Sequence, residues 1–251
     1  MPSMLAVLLA ALCPPQHLPV AKLAPGETLQ FKLDVVGADF GTFELRTEPP
    51  PPAERQRAAL QLSWRAKTSA FISTNVGRLD AYGTVLMARD SMPLRYREDI
   101  DEGAVHRGLE LTFPPEKGKL VAKATKNGEP EPFTVQASEA VRDVLSTIYV
   151  LRLVPINQPV CLEIFATRKV WKLTGKIAGK EAIETPLGRF SSLRFEGEAV
   201  RLDDPTVKRA ALLWVSDDER RLPLAGIAEV RGKTIRVQLV SAPGIRRAAR
   251  K

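Results

Sequence analysis

Ser138–Pro155 reads SEAVRDVLSTIYVLRLVP, the one long stretch of this chain with helical rather than strand periodicity. Val141, Val144, Leu145, Ile148 and Leu151 or Arg152 recur at intervals of three and four, which brings them to one face of a helix. Ser138 suits the N-cap, and Glu139 and Asp143 put negative charge near the positive end of the helix dipole. Pro155 ends the run, because proline cannot continue a helix and disfavours it at Val154. The spacing predicts a helix over 138–154, with Arg142, Asp143, Ser146 and Thr147 on its polar face. A single amphipathic helix in a chain of strands is expected to lie on a sheet or plug the mouth of a barrel.

Outward from the helix the period is two. Leu29, Phe31, Leu33 and Val35 alternate with Gln30, Lys32 and Asp34, as in a half-buried strand. Gly41–Thr47, Ala58–Lys67, Gly83–Ala88, Pro93–Ile100, Ala104–Phe113 and Lys119–Lys126 continue the pattern before the helix. EPPPPAE at Glu48–Glu54 is a proline loop, Ser69–Val76 is one helical turn, and DEG and PPEKG mark turns. Within Ala104–Phe113, Arg107 interrupts an apolar stripe and is expected to snorkel at the strand end. After the helix come Val160–Ala166, Lys169–Ala178, Ser191–Val200, Ala210–Ser216, Leu224–Arg231 and Thr234–Val240, with Glu184–Phe190 as a hairpin tip. The fold class is mainly β, with about a dozen strands. One apolar face on nearly every strand, and one helix to cover it, predicts a curled antiparallel sheet or open barrel with the helix on its concave side.

At 251 residues and 44% hydrophobic composition the chain can bury a full core. We read it as one β domain over 24–242, preceded by a signal-like segment 1–23 and followed by a basic tail 243–251. The formal net charge of +8 favours anionic company. The charge is dispersed apart from Arg246, Arg247, Arg250 and Lys251, and no basic face interleaved with aromatics points to nucleic acid. MLAVLLAAL at Met4–Leu12 has the length of a signal-peptide core and is too short to span a bilayer. Cleavage is expected between Leu12 and Ala24. Lipid anchoring through Cys13 is not expected, because Leu12 stands where lipidation sites carry a small residue. Cys13 ends the apolar run and can leave with it, in which case Cys161 has no intramolecular partner. The only histidines are His17 and His106, no ligand spacing joins them to a cysteine, and neither metal nor cofactor is expected.

Several stretches resemble, in order, the bacterial exported proteins of domain-of-unknown-function family 3108. They are PGETL at Pro25–Leu29, Gly41–Leu45, PLRYREDI at Pro93–Ile100, RDVLSTIYVLR at Arg142–Arg152, TPLGRF at Thr185–Phe190 and WVSDDERRLP at Trp214–Pro223. The resemblance spans about 24–242. It implies export to the periplasm or envelope and a β fold, and it implies no established activity. A more distant likeness is to the lipoprotein-carrier fold, a curled antiparallel sheet with helices on its concave face.

Two polar clusters are candidate sites. Trp214, Asp218, Arg220 and Arg221 set carboxylates beside arginines and an aromatic, which suits an anionic sugar or acid–base work; the plain alternative is a capped β-turn. On the helix, Asp143, Ser146, Tyr149 and Arg152 suit the lining of a cavity mouth, or ties from the helix to its neighbours. No nucleophile elbow, phosphate loop or dinucleotide fingerprint is present. Three functions fit. First is a non-catalytic binding or carrier module for a lipid, lipoprotein or other amphipathic envelope ligand, with peripheral membrane contact. Second is an envelope lyase or hydrolase on acidic polysaccharide, for which Tyr82, Tyr96 and Tyr149 are the available tyrosines. Third is a scaffold in envelope assembly.

Overall fold

The computed structural model describes Cys13 and residues 25–35, 37–230 and 233–245. The remainder of the signal-like segment and the basic residues from 246 onward lie outside the described residues.

Before the helix the strands are β1 (Thr28–Val35), β2 (Ala38–Glu48), β3 (Leu60–Thr68), β4 (Leu79–Met87), β5 (Pro93–Glu102), β6 (Val105–Thr112), β7 (Lys119–Lys126), β8 (Glu129–Pro130), β9 (Phe133–Gln136) and β10 (Arg142–Asp143). A short helix, α1 (Ala70–Asn75), links β3 to β4. The main helix, α2 (Val144–Leu151), leads into β11 (Pro159–Ala166), β12 (Lys169–Thr185), β13 (Gly188–Arg201), β14 (Lys208–Ser216), β15 (Pro223–Val230) and β16 (Lys233–Ser241). They form one open 16-stranded sheet in which β16 pairs antiparallel with β1. The first and second halves of the chain are thereby joined edge to edge. The sheet has more strands than the period-two pattern gives, chiefly because β8, β9 and β10 are too short to show a period.

The two longest strands, β12 and β13, pair from Trp171↔Arg201 to Thr185↔Gly188 and turn on Pro186–Leu187, as expected of TPLGRF. Gly175 and Gly197 are partners midway, and the Phe195 ring lies against both. A Cβ on Gly175 would stand 2.7 Å from Phe195 Cζ, and one on Gly197 2.8 Å from Cε1. The glycine pair therefore admits an aromatic ring close to the backbone.

The helix departs from its expected form in three respects. It begins at Val144 with Asp143, not Ser138, as N-cap: Asp143 Oδ1 accepts from Leu145 N at 2.8 Å and Ser146 N at 3.1 Å. The residues before it are drawn into the sheet, where Arg142 and Asp143 pair parallel with Ile164 and Phe165. Ser138 makes a local turn instead, its Oγ accepting from Ala140 N while its own N–H donates to Glu163. Second, the expected polar face is buried: Arg142, Asp143, Ser146 and Thr147 are 7%, 1%, 0% and 2% exposed. The Ser146 and Thr147 hydroxyls are satisfied by donating back to Asp143 O at 3.1 and 2.8 Å. Third, Val144 is exposed. The helix is enclosed by sheet on most of its circumference, so a polar face need not mean a solvent face.

Leu145 and Tyr149 join a core with Leu29, Leu45, Leu62, Val85, Leu224 and Leu239. Val150, Leu151 and Val154 join a second core with Leu162, Leu173, Ile177, Leu193, Phe195 and Val215. Each fully buried aliphatic side chain contributes roughly 1.5–3 kcal/mol, so the helix is a wedge held between the two halves of the sheet. Cys13 and Cys161 form a disulfide, tying the N-terminal segment to β11. Cys161 therefore has an intramolecular partner, the alternative that holds when Cys13 stays with the chain.

Candidate functional site

The two sequence motifs singled out as sites meet at one place. Arg152 caps the C-terminal end of α2 and is 3% exposed. It donates from Nη1 to Glu27 Oε1 at 2.7 Å and from Nη2 to Glu27 Oε2 at 2.9 Å, a bidentate pair. Its Nε donates to Arg221 O at 2.8 Å and its Nη2 to Arg220 O at 2.9 Å. The guanidinium lies 4.7 Å from the Tyr149 ring centroid, and Tyr149 Oη donates to Glu27 Oε1 at 3.0 Å. Burial first, and then the Glu27 charge, push the Tyr149 phenol well above its ordinary value, so it stays a proton donor. One arginine therefore joins the helix, the start of β1 and the turn after β14.

That turn is self-capped. Asp218 Oδ1 accepts from Ser216 Oγ at 2.7 Å and from the amides of Arg220 and Arg221 at 3.1 Å each, while Ser216 Oγ accepts from Leu222 N. Trp214 donates its indole N–H to Glu181, which also pairs with Arg194 at 3.1 Å. At the other end of the helix, burial raises the Asp143 carboxyl above its usual range, opposed by its bonds to Ser146 and Leu145. Asp143 Oδ2 has no hydrogen-bond partner. Arg142 donates to Ser91 O. The structure thus places Tyr149, Arg152 and the main chain of Arg220 and Arg221 together. Asp143 and Ser146 sit at the opposite helix end, and Trp214 joins a separate set with Glu181. Glu27, the acceptor at the centre, is not among the sequence candidates.

A second polar group lies on the sheet face that α2 packs against. Across β3, β4, β5, β6 and β7 the register runs Trp64↔Gly83, Gly83↔Glu98, Glu98↔Leu109 and Leu109↔Ala124. Phe31, Phe43 and Trp64 form an aromatic run, with centroids 6.0 and 6.1 Å apart. The Trp64 indole lies over Gly83, where a Cβ would stand 2.5 Å from Nε1. Trp64 Nε1 is buried and has no acceptor. Tyr96 Oη donates to Glu98 Oε2. Burial raises the Glu98 carboxyl above its usual range, Tyr96 and Arg168 oppose that, and Asp99 adds to it. A signal for both missed carboxylates exists in the sequence: Glu27 shares the parity of Leu29 and Phe31, and Glu98 that of Tyr96 and Ile100. A carboxylate on the apolar stripe of a strand marks a group the fold must neutralise or use.

The inner face is not uniformly filled. On β1 it runs from Leu29, 0% exposed, through Phe31 to half-buried Leu33 and Val35. On β2 it runs from Leu45 to half-buried Phe43, and on β3 from Leu62 to half-buried Trp64 and Ala66. On β16 it runs from Leu239, 0%, to half-buried Val237 and Ile235, and on β14 from Val215 to half-buried Leu213 and Ala211. All these gradients point away from the end that α2 fills. The loops at the open end carry exposed Phe71, Val76 and Leu202. Arg107 lies toward that end with its Nε 3.5 Å from Glu102, and its half-exposed side chain is consistent with the expected snorkelling. Among the described residues no group of His, Cys, Asp and Glu could hold a metal ion, and no helix is long and apolar enough to cross a membrane.

An open, almost wholly antiparallel sheet curled around one main helix defines a barrel-like β protein. The chain belongs to the family described as "Protein of unknown function (DUF3108)", whose model matches residues 29–239. A barrel-like protein of another unknown-function family, DUF1849, from Brucella abortus is similar at 11% identity. It covers 87% of this chain and 97% of its own, with a TM-score of 0.57, and supports the fold. An exported protein with a YmcC-like fold from Bacteroides fragilis aligns at 7% identity over 87% and 96% of the two chains, with a TM-score of 0.32. A chain from Parabacteroides distasonis described as a lipoprotein aligns at 6% identity over 87% and 95%, with a TM-score of 0.34. No curated protein matches the sequence.

Proposed function

We propose that this is a non-catalytic carrier or binding module of the cell envelope, taking the apolar part of an amphipathic ligand against the inner face of its sheet. The observation that carries the reading is the one-ended filling of that face. Apolar side chains from β1, β2, β3, β14 and β16 change from fully buried to half-buried toward the same end. Half-buried aliphatic and aromatic side chains on a concave wall are the usual lining of an apolar ligand site. The motif residues then serve as the floor: Arg152, Glu27 and Tyr149 hold the helix, and ligand contacts fall to Leu33, Phe43, Trp64, Leu213 and Val237. The Cys13–Cys161 disulfide supports an oxidising compartment, which agrees with an envelope location. It also favours signal cleavage ahead of Cys13 and occupies the sulfur that lipid anchoring would need.

The test is extraction of the protein purified from its native compartment, with lipids identified by mass spectrometry, alongside titration with the fluorescent probe N-phenyl-1-naphthylamine. Co-purifying lipid and saturable probe binding are expected. Ala66→Trp, which fills the open end from β3, is expected to weaken the probe by about tenfold. A protein that retains no lipid and leaves the probe unbound overturns the reading.

A further inference from the structure

We infer that Arg107, with Lys126 beside it, binds the polar head of the ligand, and that this head is an anion, a carboxylate or a phosphate. This rests on the carrier reading and deepens it. The register places Arg107 where the inner wall is otherwise apolar. Followed across the sheet from β2 to β7, one row runs Phe43↔Ala66, Ala66↔Ala81, Ala81↔Ile100, Ile100↔Arg107 and Arg107↔Lys126. Along β6 itself Arg107 shares a face with buried Leu109 and Leu111. A charge that ends an apolar row on a concave wall is the kind of sparse polar contact that orients an otherwise apolar ligand.

Arg107 is within reach of a ligand and short of partners. Its side chain is 40% exposed, while Nε is closed to solvent and has no hydrogen-bond acceptor. The exposure therefore belongs to the rest of the side chain, whose polar atoms are the two terminal nitrogens. The one ion pair that Arg107 makes among the described residues is with Glu102, 3.5 Å from Nε and not a hydrogen bond. Lys126 is exposed and stands directly opposite on the next strand. Like charges facing each other across a sheet repel, and an anion set between them removes that repulsion. Beyond Lys126 comes exposed Glu129 of β8, at the rim. One row deeper, toward α2, Glu98 opposes Leu109, and its carboxyl group offers an anion nothing, so the head stays at the row of Arg107. A guanidinium pairs with a carboxylate or phosphate through two parallel, charge-assisted hydrogen bonds, which a neutral hydroxyl cannot match. The tail then lies over Ile100, Ala66 and Phe43, the half-buried members of the row. The chemistry recognised is that of a single-chain amphiphile with an anionic head, a fatty acid or an alkyl phosphate.

The experiment displaces bound N-phenyl-1-naphthylamine from the full chain with laurate, dodecyl phosphate or monolaurin, at about pH 8, where a fatty acid is ionised. At least one of the two anionic lipids is expected to act at about tenfold lower concentration than monolaurin, and the stronger of them identifies the head as carboxylate or phosphate. Arg107→Met keeps an unbranched stem and removes the charge. It is expected to weaken the anionic lipid about tenfold and to leave monolaurin within about threefold. Arg107→Lys restores the charge and is expected to recover most of the preference, which a merely structural arginine would not require. Lys126→Gln is expected to weaken the anionic lipid about threefold. Lys123→Gln removes the same charge from the outer face of β7 and serves as the control, with all three lipids unchanged. Near-ultraviolet circular dichroism of each variant checks that the fold is kept. Equal displacement by the three lipids, or an anionic preference unchanged in Arg107→Met, overturns the assignment of the head while leaving the carrier reading intact. Failure of the probe to bind at all overturns the carrier reading itself.

Discussion

Removing Arg152 isolates the contribution of the joint between the helix and the sheet. In Arg152→Ala the Glu27 carboxylate loses both arms of its bidentate pair and keeps one bond, from Tyr149 Oη at 3.0 Å. The carbonyls of Arg220 and Arg221 lose their donors as well. Breaking a buried ion pair from one side costs about 3–5 kcal/mol, because the remaining charge stays desolvated. The Glu27 side chain is 17% exposed and the turn at 220 is on the surface, so water recovers part of the loss. We therefore expect about 3 kcal/mol, the low end of that range. For a chain of this size that is a fall in Tm of about 6–12 °C. Glu27→Ala leaves the guanidinium, 4% exposed, with two carbonyls only, and is expected to cost about the same. The double variant should cost little more than either single, giving a coupling energy of about 2–3 kcal/mol in a double-mutant cycle. Urea unfolding of the four proteins measures it. Single variants within about 1 kcal/mol of wild type, or a double variant equal to their sum, would refute the claim that Arg152 and Glu27 form one buried joint.

Three further predictions concern other parts of the fold. Asp143→Ala removes the acceptor of two amides at the start of α2 and should cost about 1–2 kcal/mol, whereas Asp143→Asn retains the cap and removes a buried charge. Because folding raises the Asp143 carboxyl, its contribution is fully present below the unfolded value and is lost as pH rises through the folded value. The stability of Asp143→Asn relative to wild type should therefore grow from about pH 4 toward neutrality and stay flat below, as read from urea midpoints. Gly175→Ala and Gly197→Ala each drive a methyl into the Phe195 ring and a facing main chain, and should lower stability by about 2 kcal/mol in the same assay. Cys161→Ser opens a loop of 148 residues and should cost up to about 5 kcal/mol on the chain-entropy estimate. Two titratable thiols in unreduced protein taken from an oxidising compartment would contradict the bridge.

The strands were legible because a sheet with one buried face imposes its period directly on the sequence, and Leu29, Phe31, Leu33 and Val35 need no tertiary information to declare themselves. The TPLGRF turn was legible for the same local reason. The helix boundary was not. A periodic stripe assigns polar residues to water, but α2 is enclosed on most sides, and its Ser146 and Thr147 are satisfied by the main chain of Asp143. Nothing in the spacing distinguishes a hydroxyl bonded to its own helix from one bonded to solvent. Asp143 could have been preferred to Ser138 as the cap, since both are N-cap residues, had the edge pairing of Arg142 with Ile164 been foreseeable; that pairing depends on residues over twenty positions away. The cysteine pairing, Cys13 with Cys161, is likewise set by the folded path alone. Of the site, the Arg152 end of RDVLSTIYVLR and the turn in WVSDDERRLP were visible as polar motifs. That they touch through main-chain carbonyls was not, because a carbonyl leaves no mark on sequence.

The length of the helix bears on what the sheet encloses. Eight residues of α2 span about 12 Å. The strands around it, such as the nine-residue β3 and β4, span about 30 Å. Even aligned with the strands, the helix can cover less than half of the inner face. The rest must be filled by long side chains or stay open. On β12 it is filled, with Trp171 at 5% and Leu173 at 3% exposure. On β1, β2, β3, β14 and β16 the corresponding positions are Leu33, Phe43, Ala66, Ala211 and Ile235, and all are half-buried. On the proposed carrier reading plug and cavity are not alternatives for this sheet: α2 is held at one end through Arg152 and Asp143, and the ligand takes the part of the inner face that the helix does not cover. A double variant with Ala66 and Ala211 both changed to Phe should be more thermostable than wild type, because it buries apolar surface the native wall leaves half-exposed, and should lose probe binding. Gain of stability without loss of binding would place the ligand elsewhere.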